Sequence, residues 1–200
     1  MGDVSLIQGI IENVVKNNPN HIAVKELDTG REITYLSLYE EAKIRSRNID
    51  DTPYGIICLP DGIDCVIEFL AHAFIKKPFL ARHPSRSIYE IALQNKFLKE
   101  NFHPIPDGYQ IRMSSGTTGL AKFSFATQSK MVSKEQQWAE RLRIIPSDTV
   151  YCPNSMTAGG GISEVMFGLP KTIAERARTY LTDDLLAVVD EFAGHIRPSN

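Results

Sequence analysis

Two hundred residues, 42% hydrophobic and 23% charged, have the composition of a globular chain of about one domain, which excludes disorder and collagen-like sequence. With 22 Lys and Arg against 24 Asp and Glu the net charge is -2, so there is no basic field to hold nucleic acid or an anionic membrane. The longest mostly apolar stretch, Val66 to Phe79, is broken by Glu68, His72, Lys76 and Lys77, which excludes a membrane span there. Asp3 stands where an export signal carries positive charge, so the expectation is a cytoplasmic protein. Cys58, Cys65 and Cys152 have neither metal nor disulfide spacing and read as buried free thiols.

In chain order, Val4, Ile7, Ile10, Ile11, Val14 and Val15 recur at helical spacing and predict an amphipathic helix over 4–17. Short strands at 22–24 and 32–34 flank the turn Leu27-Asp28-Thr29-Gly30 as a hairpin. Ser37 with Glu40 forms a capping-box pattern opening a helix to about Asn48, and Ser87 with Glu90 repeats it for a helix to about Lys99. The continuous apolar run Tyr54 to Leu59 predicts a strand buried on both faces, followed by a helix over 62–76 and a second buried strand over 78–81. A turn-rich path change at 101–108 leads to a strand over 109–113, a loop, and a strand around 123–125. A helix over 129–143, with Trp138 half-buried and Glu135 on a solvated face, precedes a strand at 149–152. The small-residue loop 153–161 and helices near 162–168 and 183–192 complete the chain. Strands alternating with helices predict a single α/β domain over 1–200 with a mixed, largely parallel sheet flanked by helices.

One segment carries chemistry. In Met113-Ser114-Ser115-Gly116-Thr117-Thr118-Gly119-Leu120-Ala121-Lys122, two glycines let the backbone turn tightly and present N–H groups to an anion. Four hydroxyls add donors and Lys122 adds positive charge, a make-up that suits the phosphates of a nucleotide. It is not a Walker loop: counted from Gly116, the sixth position is Ala121 and the eighth is Phe123, so the magnesium-binding hydroxyl of that motif is missing. By composition alone, a solvated Ser/Thr/Gly turn competes with the phosphate loop. The five histidines lack metal-ligand spacing, and Asp183-Asp184 after Thr182 reads as helix capping.

Ser-Ser-Gly-Thr-Thr-Gly-Leu-Ala-Lys resembles the phosphate loop of the adenylate-forming superfamily, the acyl-CoA synthetases and nonribosomal peptide synthetase adenylation domains, whose form is [ST]-S-G-T-T-G-x-P-K-G. Other segments are similar in the same order: His21 to Val24 with Ile33 to Leu38, Tyr54 to Pro60, the helix to Lys76-Lys77-Pro78-Phe79, Val150 to Pro153, and Gly159 to Gly161. The resemblance implies the first part of the large N-terminal domain of such enzymes. It implies attack of a carboxylic acid on the α-phosphate of ATP, with Mg2+, to give acyl-AMP, followed by transfer to CoA or a carrier-protein thiol. Ser114, Ser115, Gly116, Thr117, Thr118, Gly119 and Lys122 would then hold the phosphates, and Met156, Thr157, Gly159 and Gly160 would form the acyl-side loop; no catalytic or metal-ligating residue is assigned.

The departures are as informative. Ala121 replaces the motif proline, Phe123 its glycine and Gln128 its histidine, while Met156-Thr157-Ala158 stands where an aromatic-His pair is common. The family's Y-G-x-T-E segment, its ribose-binding aspartate and its lysine-bearing C-terminal lobe have no counterpart, and Pro170-Lys171-Thr172 lacks the following Gly-Lys. The expectation is therefore a truncated AMP-binding-type domain, completed by a second polypeptide or a homodimer that covers a sheet edge near 149–192. The alternatives are a non-catalytic relic or regulatory subunit keeping the fold, and an unrelated phosphate-binding α/β protein.

Overall fold

The computed structural model describes residues 4–113, 123–143, 150–152, 154–157, 161–162 and 165. Helix α1 (Leu6–Asn17) buries Ile7, Ile11 and Val14, as its spacing predicts, and Ser5 caps it by accepting from the Gln8 N–H at 3.1 Å. Strands β1 (Ile22–Lys25) and β2 (Glu32–Thr34) form the expected antiparallel hairpin, with Gly30 at φ 70 in its turn. Helix α2 (Tyr35–Ser46) starts earlier than the capping-box pattern predicts. Thr34, extended at φ -79 and ψ 164, is the N-cap and accepts from the Ser37 N–H at 3.2 Å. An N-cap must be extended, and the last residue of β2 already is; Ser37 lies inside the helix and cannot serve.

Four strands build the main sheet in the order β3 (Gly55–Cys58), β4 (Phe79–Arg82), β5 (Gly108–Met113) and β6 (Phe123–Thr127). The pairs β3–β4 and β4–β5 are parallel and β5–β6 is antiparallel, so the sheet is mixed and largely parallel as expected. Helix α3 (Ile63–Phe74) joins β3 to β4 and is buried almost all round, packing with α1 and α2 on one sheet face. The rings of Phe69 and Phe79 stack at 5.3 Å there, and Tyr109 meets Phe79 edge-on at 5.2 Å. Burial of each such side chain contributes about 1.5–3 kcal/mol. Helix α4 (Ile88–Asn101) covers the opposite face by setting Leu98 against Leu80 and Ile111. It carries the predicted capping box: Ser87 Oγ accepts from the Glu90 N–H at 3.2 Å while Glu90 Oε2 accepts from the Ser87 N–H at 3.1 Å. Helix α5 (Gln128–Arg141) follows β6 directly and is capped by Thr127.

Several expectations change. β3 is not buried on both faces: Gly55 and Ile57 face the core, whereas Ile56 is 39% exposed and Cys58 is exposed, because β3 lies at an edge of the sheet formed by the described residues. Cys65 is the buried thiol, its pKa pushed up to about 12 by desolvation, and Cys152 is intermediate. On α5 the faces are reversed, with Trp138 exposed and Glu135 buried. Residues 150–152 form no strand. Exposed apolar side chains among the described residues include Ile56 of β3 and Ile88, Tyr89 and Leu93 of α4. The expected sheet edge and helices beyond residue 165 lie outside the described residues, while 162 and 165 are helical as expected and 161, expected in the loop, is helical too.

Candidate functional site

β3, β4 and β5 run in one direction, so their carboxyl ends share one end of the sheet. That end is where open α/β sheets hold ligands. β5 finishes there at Met113, which pairs directly with Phe123, the first residue of β6. The segment 114–122 therefore leaves and re-enters the sheet at one paired rung. Ser114, Ser115, Gly116, Thr117, Thr118, Gly119 and Lys122 themselves lie outside the described residues, as do Ala121, Gly159 and Gly160. The structure describes the frame on which they are hung.

Two departures from the family motif find physical roles in that frame. The Phe123 ring stacks on Phe97 of α4, with centroids 4.3 Å apart and planes 12° apart, so it packs on the helix-covered face. Gln128 is fully buried at the first turn of α5. Its Oε1 accepts from the Ile7 N–H at 3.1 Å and its Nε2 donates to the Ala73 carbonyl at 2.7 Å, joining the start of α1 to the end of α3. The same junction is held by Asp107, whose carbonyl accepts from the Gln128 N–H at 3.0 Å and whose Oδ2 accepts from the Ser129 N–H at 3.2 Å. The strand-to-helix corner beyond the loop is thus braced from three sides.

The second predicted loop is partly visible. Asp61, just past the carboxyl end of β3, accepts from the Met156 N–H at 2.7 Å and from Ser155 Oγ at 3.2 Å through one oxygen, Oδ1. Ser155 Oγ also lies 2.8 Å from Thr157 Oγ1. Met156 and Thr157 are therefore brought together at the sheet end that carries the 114–122 loop. A Cβ on Gly161 would overlap the Ser155 carbonyl, so the turn closes only because that residue is glycine. Asp61 was not singled out from sequence; its only signal was the Pro60-Asp61-Gly62 turn after a strand.

The amino terminus of α3 opens at this end too, but Glu26 of the hairpin occupies it. Glu26 Oε1 accepts from the Ile63 N–H at 2.7 Å, and hydrogen bonds from Thr29 and Ile63 hold its carboxyl below the usual glutamate range. Gly62, at φ 145, leaves room for that carboxylate. Arg31 reaches Asp64 with two hydrogen bonds of 2.9 and 3.2 Å and locks the hairpin over the helix. The Ile63 N–H is therefore already taken by a carboxylate, which also meets part of the positive end of the α3 dipole. Among the described residues no cluster of three His, Cys, Asp or Glu side chains could hold a metal ion. Among them, too, no helix is long and apolar enough to cross a membrane.

No protein-family model matches the chain, and no curated protein matches it in sequence. Solved structures do match in fold. An inhibitor-bound N-terminal domain of FACL13 from Mycobacterium tuberculosis aligns at TM-score 0.72 and 14% identity, over 94% of this chain and 61% of that one. VinN in complex with 3-methylaspartate aligns at TM-score 0.69 and 15% identity, over 85% and 62%. O-succinylbenzoate coenzyme A synthetase (MenE) from Bacillus subtilis, solved with ATP and magnesium ion, aligns at TM-score 0.68 and 13% identity, over 93% and 60%. The chain has the fold of the N-terminal region of adenylate-forming enzymes, and it spans about three fifths of the length of the structures it matches.

Proposed function

We propose that this chain provides the phosphate-binding part of an ATP-dependent adenylate-forming ligase that activates a carboxylic acid as acyl-AMP. The observation that supports the reading is that β5 and β6, the strands on either side of the Ser114–Lys122 motif in sequence, pair at Met113 and Phe123 at the carboxyl end of the parallel strands, in a fold shared with a synthetase solved with ATP and magnesium ion. In this reading the amides of Gly116 and Gly119 and the hydroxyls of Ser114, Ser115, Thr117 and Thr118 hold the β- and γ-phosphates. Lys122 offsets charge as pyrophosphate leaves. A substrate carboxylate oxygen forms a bond to the α-phosphorus, and the bond from that phosphorus to the bridging oxygen of pyrophosphate breaks. Donors placed before the reaction stabilise the developing charge without reorganising, which is the main physical source of acceleration here. Mg2+ enters this reading as the counter-ion of the ATP phosphates.

Met156, held by Asp61, and Thr157, held through Ser155, border the acid in this reading, together with Gly159 and Gly160. CoA or a carrier-protein thiol then accepts the acyl group. The groups for adenine and ribose, and the catalytic lysine that the resemblance implies, would come from outside the motifs present here. The competing reading is a non-catalytic or regulatory relative, and one observation favours it: Phe123 and Gln128, at motif positions, are committed to packing and bracing.

Carboxylate-dependent exchange of pyrophosphate into ATP separates the two. The chain, alone or with a completing partner, is expected to support exchange, and Lys122→Ala or Thr118→Ala to reduce it about 10- to 1,000-fold, the range for lost transition-state donors. Absence of exchange together with absence of ATP binding by calorimetry would establish the non-catalytic reading.

A further inference from the structure

A cavity of about 800 Å3 opens at the other end of the sheet, by the amino terminus of β3. Its walls come from the end of α2, the start of β3, the middle of α3 and the last turn of α4. The volume lies within the usual range for small-molecule sites. It is far in topology from the 114–122 loop, which follows the carboxyl end of the parallel strand β5.

The rim is rigid. Lys77 Nζ, on a largely buried side chain, donates to the Asp50 carbonyl and to Asp50 Oδ1, both at 2.6 Å, and to Thr52 Oγ1 at 3.0 Å. These bonds and that from Thr52 hold the Asp50 carboxyl at about 2. At the floor, His72 lies against Gly55, where a Cβ would overlap the imidazole, and its Nδ1 is 2.9 Å from the Glu68 carbonyl. Glu68 in turn pairs with Arg45 at 3.0 Å. On the apolar side, Tyr54 and Phe102 set their rings 4.9 Å apart beside Leu98 and the half-exposed Ile56.

Charge accounting selects the occupant. Asp50 is matched by Lys77 and Glu68 by Arg45, which leaves Lys99 with no carboxylate partner among the described residues. The Gly55 N–H donates to Pro78 on the β4 side, so by strand alternation the Ile56 N–H points away from β4, toward the open edge. We propose that this cavity binds a small organic monoanion with an aryl or branched-alkyl body. The charge lies at Lys99 and the outer donors of Arg45, and the body lies against Ile56, Leu98 and the Tyr54–Phe102 pair. A cationic ligand would face uncompensated positive charge, and a ligand without an apolar body would leave the aromatic wall wet.

The test is a nucleotide-free NMR titration of the full chain, labelled with 15N, so its outcome is independent of the ligase reading. Benzoate is expected to give saturable shifts at Tyr54 to Ile56 and Leu98 to Phe102, while benzylamine, benzyl alcohol and acetate bind at least about tenfold more weakly. Lys99→Glu, an exposed change, is expected to weaken benzoate about tenfold or more, as reversal of one charge at contact distance implies. Shifts that are absent or scattered over the surface would overturn the proposal, as would unchanged binding in Lys99→Glu or equal binding of benzylamine.

Discussion

Gln128 shows how much one buried side chain decides, here at the end of the sheet opposite the candidate site. Its amide answers a donor on α1 and an acceptor on α3, separated from it by 121 and 55 residues. Gln128→Ala would leave the buried Ile7 N–H unpaired, while the Ala73 carbonyl keeps the Lys76 N–H at 3.0 Å, so the expected cost is that of one orphan, about 1–3 kcal/mol. Urea unfolding followed by circular dichroism should show the loss as a lower midpoint; an unchanged midpoint would mean that water replaces the amide. The sequence marked Gln128 as a departure from the resembling motif, yet nothing local could reveal its role, because both partners are distant in the chain. Asp61 was illegible for the same reason: its meaning lies in Ser155 and Met156, about 95 residues away.

At the scale of elements, the two hydroxyl-glutamate patterns look alike in sequence but differ in the structure. Ser87 caps α4 with both reciprocal bonds, whereas α2 is capped by Thr34, and Ser37 supplies an N–H to it and an exposed hydroxyl that accepts from Thr34 Oγ1 at 3.1 Å. Thr34→Val and Ser87→Ala are each expected to cost about 0.5–2 kcal/mol, the usual range for a lost N-cap. Ser37→Ala should be nearly neutral. Thermal or urea midpoints of the three variants check this, and equal loss in Ser37→Ala and Thr34→Val would contradict the assigned cap. Most helices and strands were legible because periodicity and turn residues act over a few positions. β3 misled because a run of apolar residues marks a parallel strand without saying whether it sits inside the sheet or at its edge.

For the molecule as a whole, the pair at the cavity floor should govern stability in mild acid. Burial raises the Glu68 pKa above 4.5, against the opposing pull of Arg45, and lowers that of His72 below 6.5. Glu68 therefore favours the folded state more at low pH and loses that contribution as pH rises above 4.5 through its raised value. His72, held neutral, contributes above 6.5 and loses its contribution as pH falls through its lowered value. Between 4.5 and 6.5 the two slopes oppose one another. Glu68→Gln should leave stability that rises with pH across this window, and His72→Gln stability that falls; urea midpoints measured at half-unit steps, roughly, decide it. Parallel slopes in both variants would contradict the assignment.

Read without its partners in space, the amino-acid order determined the α/β alternation, the Ser87 cap, the hairpin and the hydroxyl–glycine motif between β5 and β6. Those features are local, set by residue type over one or two turns. Tertiary structure alone decided that β3 is an edge, that Thr34 displaces Ser37, that Phe123 packs on α4, and that Asp61 draws Met156 and Thr157 to the sheet end bearing the motif. Each of those outcomes is a contact between segments distant along the chain, and its energy exists only once the sheet has brought them together.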